Sequence, residues 1–193
     1  MKHDSFTTPI LVAFGGNLPS EAGSPVETIH AAIRDLECRY VNNVLLSRFF
    51  KTPAFPIGSG PDFVNAAATL EFAGTPQELL SHLHAVEASF GRERRARWVA
   101  RTLDIDLLAV GESILPDRAT QDRWRKLPVE EQQVEMPEDL VLPHPRLQDR
   151  GFVLVPLADV APVWRHPVLG RTVTEMRDAL PRDQVSGIVP LSV

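Results

Sequence analysis

The chain has 193 residues, of which 44% are hydrophobic and 23% charged, an ordinary composition for a globular protein with one substantial core. Its formal net charge of -5 gives no sign of a surface that binds nucleic acid or an acidic membrane. The only cysteine, Cys38, excludes an intrachain disulfide and a thiolate metal cage. No segment approaches the ~20 apolar residues that span a bilayer, and the first residues do not have the pattern of a secretory signal. We expect one cytoplasmic domain over residues 1–193, with a monomer favoured.

The first half of the chain predicts strands separated by a helix and a loop. The predicted strands are Ile10 to Phe14, Val44 to Thr52 and Phe63 to Phe72. The first strand stops at Gly15-Gly16, where glycines permit positive φ or a close approach of another group. Pro25 begins a helix that Ser24 caps, and the segment rich in proline and glycine from Pro53 to Pro61 is a loop.

The clearest local signal lies at Thr75-Pro76-Gln77-Glu78. It combines a capping threonine, a proline at the first helical position and a glutamate placed to reciprocate the cap. Apolar residues then recur at helical spacing at Leu79, Leu83, Val86 and Phe90. Gly91 supplies the stop.

The second half predicts a strand from Leu103 to Gly111 and a last helix from Thr172 to Leu180, while Phe152 to Val160 fits either a short helix or a strand. Asp117 to Asp139 is polar, with few apolar anchors, and we expect an excursion from the core. Because helices and strands alternate, and some neighbouring strands are joined by a loop only, the pattern favours a mixed sheet in an α+β or α/β layer.

Five arginines fall within ten residues of a chain whose overall charge is negative: Arg92, Arg94, Arg95, Arg97 and Arg101. A guanidinium group matches phosphate oxygens bidentately and stays charged at any working pH. The cluster is either a solvated loop or a phosphate-binding segment. Its position between a helix end and a strand that carries two aspartates favours phosphate binding.

That strand contains Asp104 and Asp106. Residues i and i+2 of a strand share a face, so the two carboxylates project together with Cα atoms ~7 Å apart. Such a pair in apolar surroundings needs a cation, and oxygen ligands favour Mg²⁺ or Mn²⁺; an ion pair with arginines is the alternative. Carboxylates that hold Mg²⁺ and arginines that hold phosphates are the two halves of a phosphoryl-transfer site.

No P-loop and no kinase-type glycine loop is present, so side chains must grip any nucleotide. His144 lies between two prolines and can hydrogen-bond a phosphate, although a lone histidine is more often structural. Trp98, Phe63 and Phe152 offer aromatic faces for a flat heterocycle, with burial in the core as the alternative for each phenylalanine.

Several strings in order resemble the 6-hydroxymethyl-7,8-dihydropterin pyrophosphokinases of folate biosynthesis, from about Leu11 to Pro162. The most specific are Arg101-Thr102-Leu103-Asp104-Ile105-Asp106 and Arg150-Gly151-Phe152-Val153-Leu154. The resemblance implies an α+β, ferredoxin-like fold with helices on both faces of its sheet, in three layers. It also implies transfer of the β,γ-diphosphate of ATP to the pterin hydroxymethyl oxygen, with two Mg²⁺ ions, giving AMP and the pterin diphosphate.

The resemblance also implies roles for the matched residues. The catalytic group is Arg92, Arg101, Asp104 and Asp106, and the two aspartates hold the metals. ATP contacts fall to Glu87, Arg92, Arg94, Trp98, Arg101, Leu107, His144 and Arg150. Pterin contacts fall to Gly15, Thr52, Pro53, Phe63, Asn65, Trp98 and Phe152.

Three departures from the family pattern stand out. The Arg94–Trp98 loop is about one residue short and is followed by Val99-Ala100, phenylalanine replaces a frequent tyrosine at Phe63, and residues 112–140 contain a polar insertion. A metal-dependent nuclease or phosphatase that uses Asp104 and Asp106 is one alternative function. A binding paralogue without catalysis, whose insertion contacts another protein, is another.

Overall fold

A computed structural model describes residues 9–54, 60–91, 101–128, 131 and 135–192 of the chain. The strands are β1 (Ile10–Gly16), β2 (Asn42–Leu46), β3 (Phe50–Thr52), β4 (Phe63–Glu71), β5 (Asp104–Val110) and β6 (Val189–Pro190). The helices are α1 (Pro25–Arg39), α2 (Pro76–Ser89), α3 (Arg118–Lys126), α4 (Gly151–Val160) and α5 (Val173–Asp178). Two 3₁₀ turns, Leu147–Asp149 and Arg182–Gln184, complete the described elements.

The sheet has the strand order β5-β1-β4-β3-β6, and β2 also pairs with β4. Every described strand pair is antiparallel, so the sheet is antiparallel rather than mixed. From β1 to β5 the chain runs strand, helix, strand hairpin, helix, strand, where the first arm of the hairpin is divided into β2 and β3 and the second arm is β4. This is the arrangement of the ferredoxin-like fold, and the predicted fold class is confirmed.

Helices α1 and α2 cover one face of the sheet, and both begin at a capping box. Ser24 with Glu27 caps α1, and Thr75 with Glu78 caps α2, each followed by a proline in the first turn. Such a box satisfies backbone N–H groups that the first helical turn leaves without partners. The apolar faces of both helices join the larger core cluster together with alternate residues of β1, β4 and β5.

Helices α4 and α5 cover the opposite face. The residues from Gly151 onward, which fit either a helix or a strand in the sequence, form a helix. Its buried Val153, Leu154 and Leu157 pack against Leu11 and Ala67 of the sheet in a second core cluster. The molecule therefore has the three layers that the resemblance implied, with the sheet between two helical layers.

The strand predicted from Val44 to Thr52 is wrong in one respect, since it is broken into β2 and β3. At the break, the Ser47 hydroxyl accepts a hydrogen bond from the Ala67 N–H at 2.9 Å and donates one to the Arg48 carbonyl at 2.7 Å. The serine hydroxyl thus accepts a β4 backbone hydrogen bond that a strand carbonyl would otherwise accept, and the strand is interrupted there.

The polar stretch predicted as an excursion lies between Leu115 and Leu142, whose backbones exchange hydrogen bonds of 2.9 and 3.1 Å. It contains α3, which is attached to the body of the protein. Trp124 is buried, and the fully buried Gln121 donates a hydrogen bond to the Pro143 carbonyl at 3.2 Å. Whether this segment is an insertion relative to the family stays a prediction.

None of the helices in the described part of the chain is long and apolar enough to cross a membrane.

Candidate active site

One transverse row of the sheet joins residues of four strands. The register pairs Asp104 of β5 with Gly15 of β1, Gly15 with Asn65 of β4, and Asn65 with Phe50 of β3. Paired residues of antiparallel strands point to the same face, and neighbouring strands lie about 4.8 Å apart, so Asp104 and Asn65 stand roughly 10 Å apart. The predicted metal side and the predicted pterin side therefore share one face of the sheet.

The same face carries the other predicted strand residues. Asp106 follows Asp104 by two positions, Thr52 follows Phe50 by two, and Phe63 precedes Asn65 by two. This is the face that α4 covers, because Ala67, two positions beyond Asn65, belongs to the core cluster of α4. The face is thus apolar under the body of α4 and polar beyond its first residues.

Asn65 and Thr52 form a polar pair on the predicted pterin side. Both are buried, and the Asn65 amide donates a hydrogen bond of 2.8 Å to the Thr52 hydroxyl. A Cβ atom placed on Gly15 would lie 2.9 Å from the side-chain oxygen Oδ1 of Asn65, so the side-chain amide lies close to the Gly15 backbone. Phe63 is half-buried, and Pro53 is exposed at the end of β3.

Asp104 and Asp106 face a set of arginines. Arg101 forms an ion pair with Asp104, and Arg150 lies 3.5 Å from the Asp106 carboxylate. The two carboxylate side chains keep 25% and 35% of their surface exposed, so a cation can reach both.

The two carboxylates fit a Mg²⁺ site that shares its shell with phosphates. Among the described residues no group of three or more His, Cys, Asp or Glu side chains is placed to hold a metal. Within the described residues, Asp104 and Asp106 are thus a pair of carboxylates and not part of a larger cluster of such side chains. Mg²⁺ is commonly held by one or two carboxylates, with water and substrate phosphates completing its coordination.

The backbone of Arg101 is fixed by Asn17, a residue to which the sequence analysis gave no role. The Asn17 side-chain oxygen accepts the Arg101 N–H at 2.9 Å, and the Arg101 carbonyl accepts the Asn17 N–H at 3.0 Å. A Cβ on the adjacent Gly16 would lie 2.5 Å from the Thr102 carbonyl oxygen. The turn after β1 thus holds in place the segment that carries Arg101 beside Asp104. In the sequence, the string Gly15-Gly16-Asn17 was the signal that could have indicated this turn.

His144 lies beside β5. Its backbone N–H donates to the Leu108 carbonyl at 2.7 Å, and its Nδ1 accepts the Arg146 N–H at 3.1 Å. Burial, with the positive charges of Arg150 and Arg146 adding to it, lowers the pKa of His144 to about 3. The imidazole is neutral at working pH, and with Nδ1 as acceptor the proton sits on Nε2. His144 can therefore donate one hydrogen bond without carrying charge.

The first residues of α4 bring a cation and an aromatic ring to the same end of the sheet. The Arg150 guanidinium lies 5.7 Å from the centre of the Phe152 ring, within the range of a cation–π contact. Phe152 remains 39% exposed although its neighbours Gly151, Val153 and Leu154 are buried. An exposed ring next to polar groups is available to a ligand.

Glu87 and Leu107 occupy less accessible positions. Glu87 is buried, and its Oε1 accepts the Ile105 N–H at 2.6 Å, so the carboxylate supports the edge of β5. The Leu107 side chain is buried in the core cluster under α1 and α2. Contacts of either residue with the nucleoside end of ATP stay predictions. Arg92, Arg94 and Trp98 lie outside the described residues.

Paired accessible carboxylates, neighbouring arginines and the polar pair of Asn65 and Thr52, all at one sheet face, are the features expected of a phosphotransferase site. The family model of 7,8-dihydro-6-hydroxymethylpterin-pyrophosphokinase (HPPK) matches residues 11–162. A 2-amino-4-hydroxy-6-hydroxymethyldihydropteridine pyrophosphokinase of Pseudomonas aeruginosa is 35% identical over 173 residues, covering 89% of this chain and 91% of that protein. One of Synechocystis is 32% identical over 186 residues, covering 93% and 80%. The chain belongs to the HPPK family.

Solved structures show the same fold. The crystal structure of wild-type Plasmodium falciparum HPPK-DHPS superposes with a TM-score of 0.60 at 13% sequence identity and covers 92% of this chain. This chain spans 45% of the length of that one. At such low identity the likeness establishes the fold, and the family rests on the curated relatives and the family model.

Proposed function

We propose that this chain transfers the β,γ-diphosphate of ATP to the hydroxymethyl oxygen of 6-hydroxymethyl-7,8-dihydropterin, in folate biosynthesis. The observation that carries the proposal is the row Asp104–Gly15–Asn65, which sets the predicted metal side and the predicted pterin side on one face of the sheet. In the reaction an O–P bond forms at the β-phosphorus, the bond to the α-phosphate oxygen breaks, AMP leaves, and the hydroxyl proton is released.

At the ATP end, Asp104 and Asp106 would hold the two Mg²⁺ ions that the family resemblance implies. The metals, when bound, neutralise charge on the phosphate oxygens and align the transferred group. Arg101 and Arg150 pair with these carboxylates. When ATP binds, the two guanidinium groups give up part of this pairing and contact phosphate oxygens instead. The Nε2–H of His144 donates to a phosphate oxygen. Because the imidazole is neutral, the arginines and metals alone neutralise the negative charge of the phosphates. Arg92 and Arg94 add cations from the segment outside the described residues.

At the pterin end, the buried pair of Asn65 and Thr52 reads the polar edge of the heterocycle. Each retains hydrogen-bonding capacity beyond their mutual bond, since the amide oxygen is an acceptor and the hydroxyl hydrogen is a donor. Phe63 and Phe152 supply aromatic faces for the ring, and Trp98, outside the described residues, is a further proposed pterin contact. Gly15 keeps a side chain out of the space between Asn65 and Asp104.

Positioning and charge neutralisation supply the catalysis, because phosphoryl transfer needs little covalent help from the protein. Ordering of the two substrates on one rigid sheet face brings the hydroxyl oxygen into line with the β-phosphorus. The short, hydrogen-bonded turn that fixes Arg101 serves the same end.

The proposal is tested by incubating the protein with ATP, Mg²⁺ and 6-hydroxymethyl-7,8-dihydropterin and resolving the nucleotides by chromatography. AMP formed in equal amount to pterin diphosphate is the expected result. ADP or inorganic phosphate as the product would show a kinase or phosphatase instead. Pterin binding without any nucleotide turnover would identify a binding protein.

A further inference from the structure

The C-terminal residues 181–191, here called the C-terminal strap, return to the sheet after α5. They lie beyond residues 11–162, which the family model matches. The strap begins with the 3₁₀ turn Arg182–Gln184 and ends in β6. It therefore adds a described element to the family core, on the side of the sheet where β3 would otherwise be the edge.

One end of the strap is attached to β3. The register pairs Val189 with Lys51 and Pro190 with Phe50, and the Leu191 N–H donates to the Phe49 carbonyl at 2.8 Å. An edge strand of three residues gains little support from its own length, and an added strand satisfies backbone groups along it. Because β3 ends at Thr52, these bonds hold the segment that carries the predicted pterin contacts.

The middle of the strap packs against two predicted pterin neighbours. A Cβ on Gly187 would lie 3.0 and 3.1 Å from ring carbons of Pro53. A Cβ on Gly151 would lie 2.1 Å from the Gln184 carbonyl oxygen and 3.1 Å from a methyl carbon of Ile188. A methyl group on Gly151 would collide with the strap, and one on Gly187 would fit only if the Pro53 ring moved by a few tenths of an ångström. The strap therefore touches the end of β3 and the first residue of α4 at once.

These two contact points flank the proposed pterin pocket. Pro53 follows Thr52 at the end of β3, and Gly151 precedes Phe152 at the start of α4. Gln184 and Ile188 contact Gly151, and Gly187, which lies between them in the chain, contacts Pro53. Any change in its packing alters the separation of the two walls.

The strap contributes little to the hydrophobic core. Residues 181–184 are exposed, Val189 is 53% exposed, and only Leu191 among its residues packs on a core cluster, where it is partly buried. Burial of so little apolar surface stabilises the whole domain only weakly. Its close contacts are concentrated instead on Pro53 and Gly151.

We infer that the C-terminal strap is a positioning element for the pterin: it fixes the distance between Pro53 and Phe152 and so determines how tightly the heterocycle is held. The inference rests on the proposed function, because Pro53 and Phe152 are pterin contacts only in that proposal. Gly187 is the position at which the fit is most sensitive, since its Cα hydrogen faces the proline ring. The contact of Gly187 with Pro53 acts on the pterin side, whereas Gly151 lies between Phe152 on the pterin side and Arg150 on the ATP side.

The test compares Gly187→Ala and Gly187→Val with Ser186→Ala, an exposed neighbour in the same strap. Pterin is titrated by calorimetry into protein saturated with Mg²⁺ and α,β-methylene-ATP, whose carbon bridge prevents transfer. Steady-state KM for each substrate and kcat are measured in parallel with ATP. We expect pterin affinity about threefold lower in the alanine variant and at least about tenfold lower in the valine variant, because sub-ångström misplacement already weakens a preorganised site.

Ile188→Ala provides the second test, since it removes the side chain that packs on Gly151 without adding a clash. It should weaken pterin binding more than it raises KM for ATP, because Gly151 adjoins Arg150 as well as Phe152, while the unfolding temperature changes little and Ser186→Ala matches the unaltered protein. Unchanged pterin affinity in both Gly187→Val and Ile188→Ala would overturn the inference, as would equal loss of ATP and pterin binding. Failure of the proposed function is distinct, because the unaltered protein would then form no AMP.

Discussion

The backbone N–H of Arg101 donates a 2.9 Å hydrogen bond to the side chain of Asn17, although 84 residues separate the two in the chain. The Asn17 amide also donates to the Pro61 carbonyl at 3.1 Å. One asparagine thus links the arginine beside Asp104 to the residues that lead into β4. It is a positioning residue for both sides of the candidate site.

Loss of this link should reduce turnover more than stability. We expect Asn17→Ala to lower kcat about 10- to 100-fold, because displacement of a phosphate-binding group by an ångström costs on that order. Gly16→Ala, whose Cβ would press on the Thr102 carbonyl, should act on the same segment. The double variant should then lose much less than the product of the two single effects. Steady-state kinetics with unfolding temperatures provide the measurement.

Gly60→Ala is the matched control for the glycine change, since a Cβ there meets no described atom within 4 Å. It should leave kcat unaltered. Normal turnover in Asn17→Ala would contradict the positioning role.

The hydroxyl of Thr52 should matter more than its methyl group. Thr52→Val keeps the shape but leaves the buried Asn65 amide without its acceptor, which costs about 1–3 kcal/mol and lets the amide turn. We expect KM for the pterin to rise about tenfold, with KM for ATP unchanged. Thr52→Ser restores the acceptor and should recover most of the loss. A serine variant as impaired as the valine variant would refute the assignment to the hydroxyl.

Local signals predicted the elements that depend on local chemistry. The capping box at Thr75 predicted α2, which spans Pro76–Ser89, and the apolar run around Asp104 predicted β5. The alternation of β5 also placed Asp104 and Asp106 on one face before any partner strand was known.

Features that depend on long-range contacts could not be predicted from the sequence. The break between β2 and β3 arises because the Ser47 hydroxyl bonds to β4, twenty residues later. Helix α3 buries Trp124 as its one apolar anchor, together with the polar Gln121, so its composition resembles that of a solvated loop. The Asn17–Arg101 bond and the position of the strap depend on which residues pair between strands. A single sequence does not reveal that pairing.

The carboxylate pair should be indispensable. Asp104→Ala and Asp106→Ala should each lower kcat by at least about 10³-fold at saturating Mg²⁺, since each removes half of the proposed metal ligands. Asp35→Ala is the control, because Asp35 is a half-buried carboxylate of α1 that also pairs with an arginine, Arg39, but lies outside the candidate site. Activity is followed as AMP release over a Mg²⁺ titration. Near-normal Mg²⁺-dependent turnover in either site variant would refute the metal assignment.

Acid should destabilise the fold chiefly through His166, which is fully buried. Burial first, and then the charge of Arg125, lowers the pKa of His166 to about 4, so the unfolded chain binds its proton more readily than the native protein does. The stability due to neutral His166 is complete above the ordinary pKa of about 6.5 and is lost as the pH falls from there toward 4. His144 contributes in the same direction.

His166→Asn isolates this effect, because an asparagine oxygen can accept the N–H groups that Nδ1 now accepts from Val168 and Leu169. We expect the loss of unfolding free energy between pH 7 and pH 5 to be smaller in the variant by on the order of 1–2 kcal/mol. Denaturant titrations at the two pH values give the difference. An identical pH dependence in the variant and the unaltered protein would show that His166 does not titrate differently on folding.

Isotope tracing tests the central claim most directly. ATP labelled separately at the β- and γ-phosphorus is incubated with the protein, Mg²⁺ and 6-hydroxymethyl-7,8-dihydropterin, and the pterin product is isolated. Diphosphate transfer predicts that both labels appear in the pterin product in equal amounts while all α-phosphorus stays in AMP. Transfer of the γ-label without the β-label, or release of either label as inorganic phosphate in place of transfer, would contradict the account.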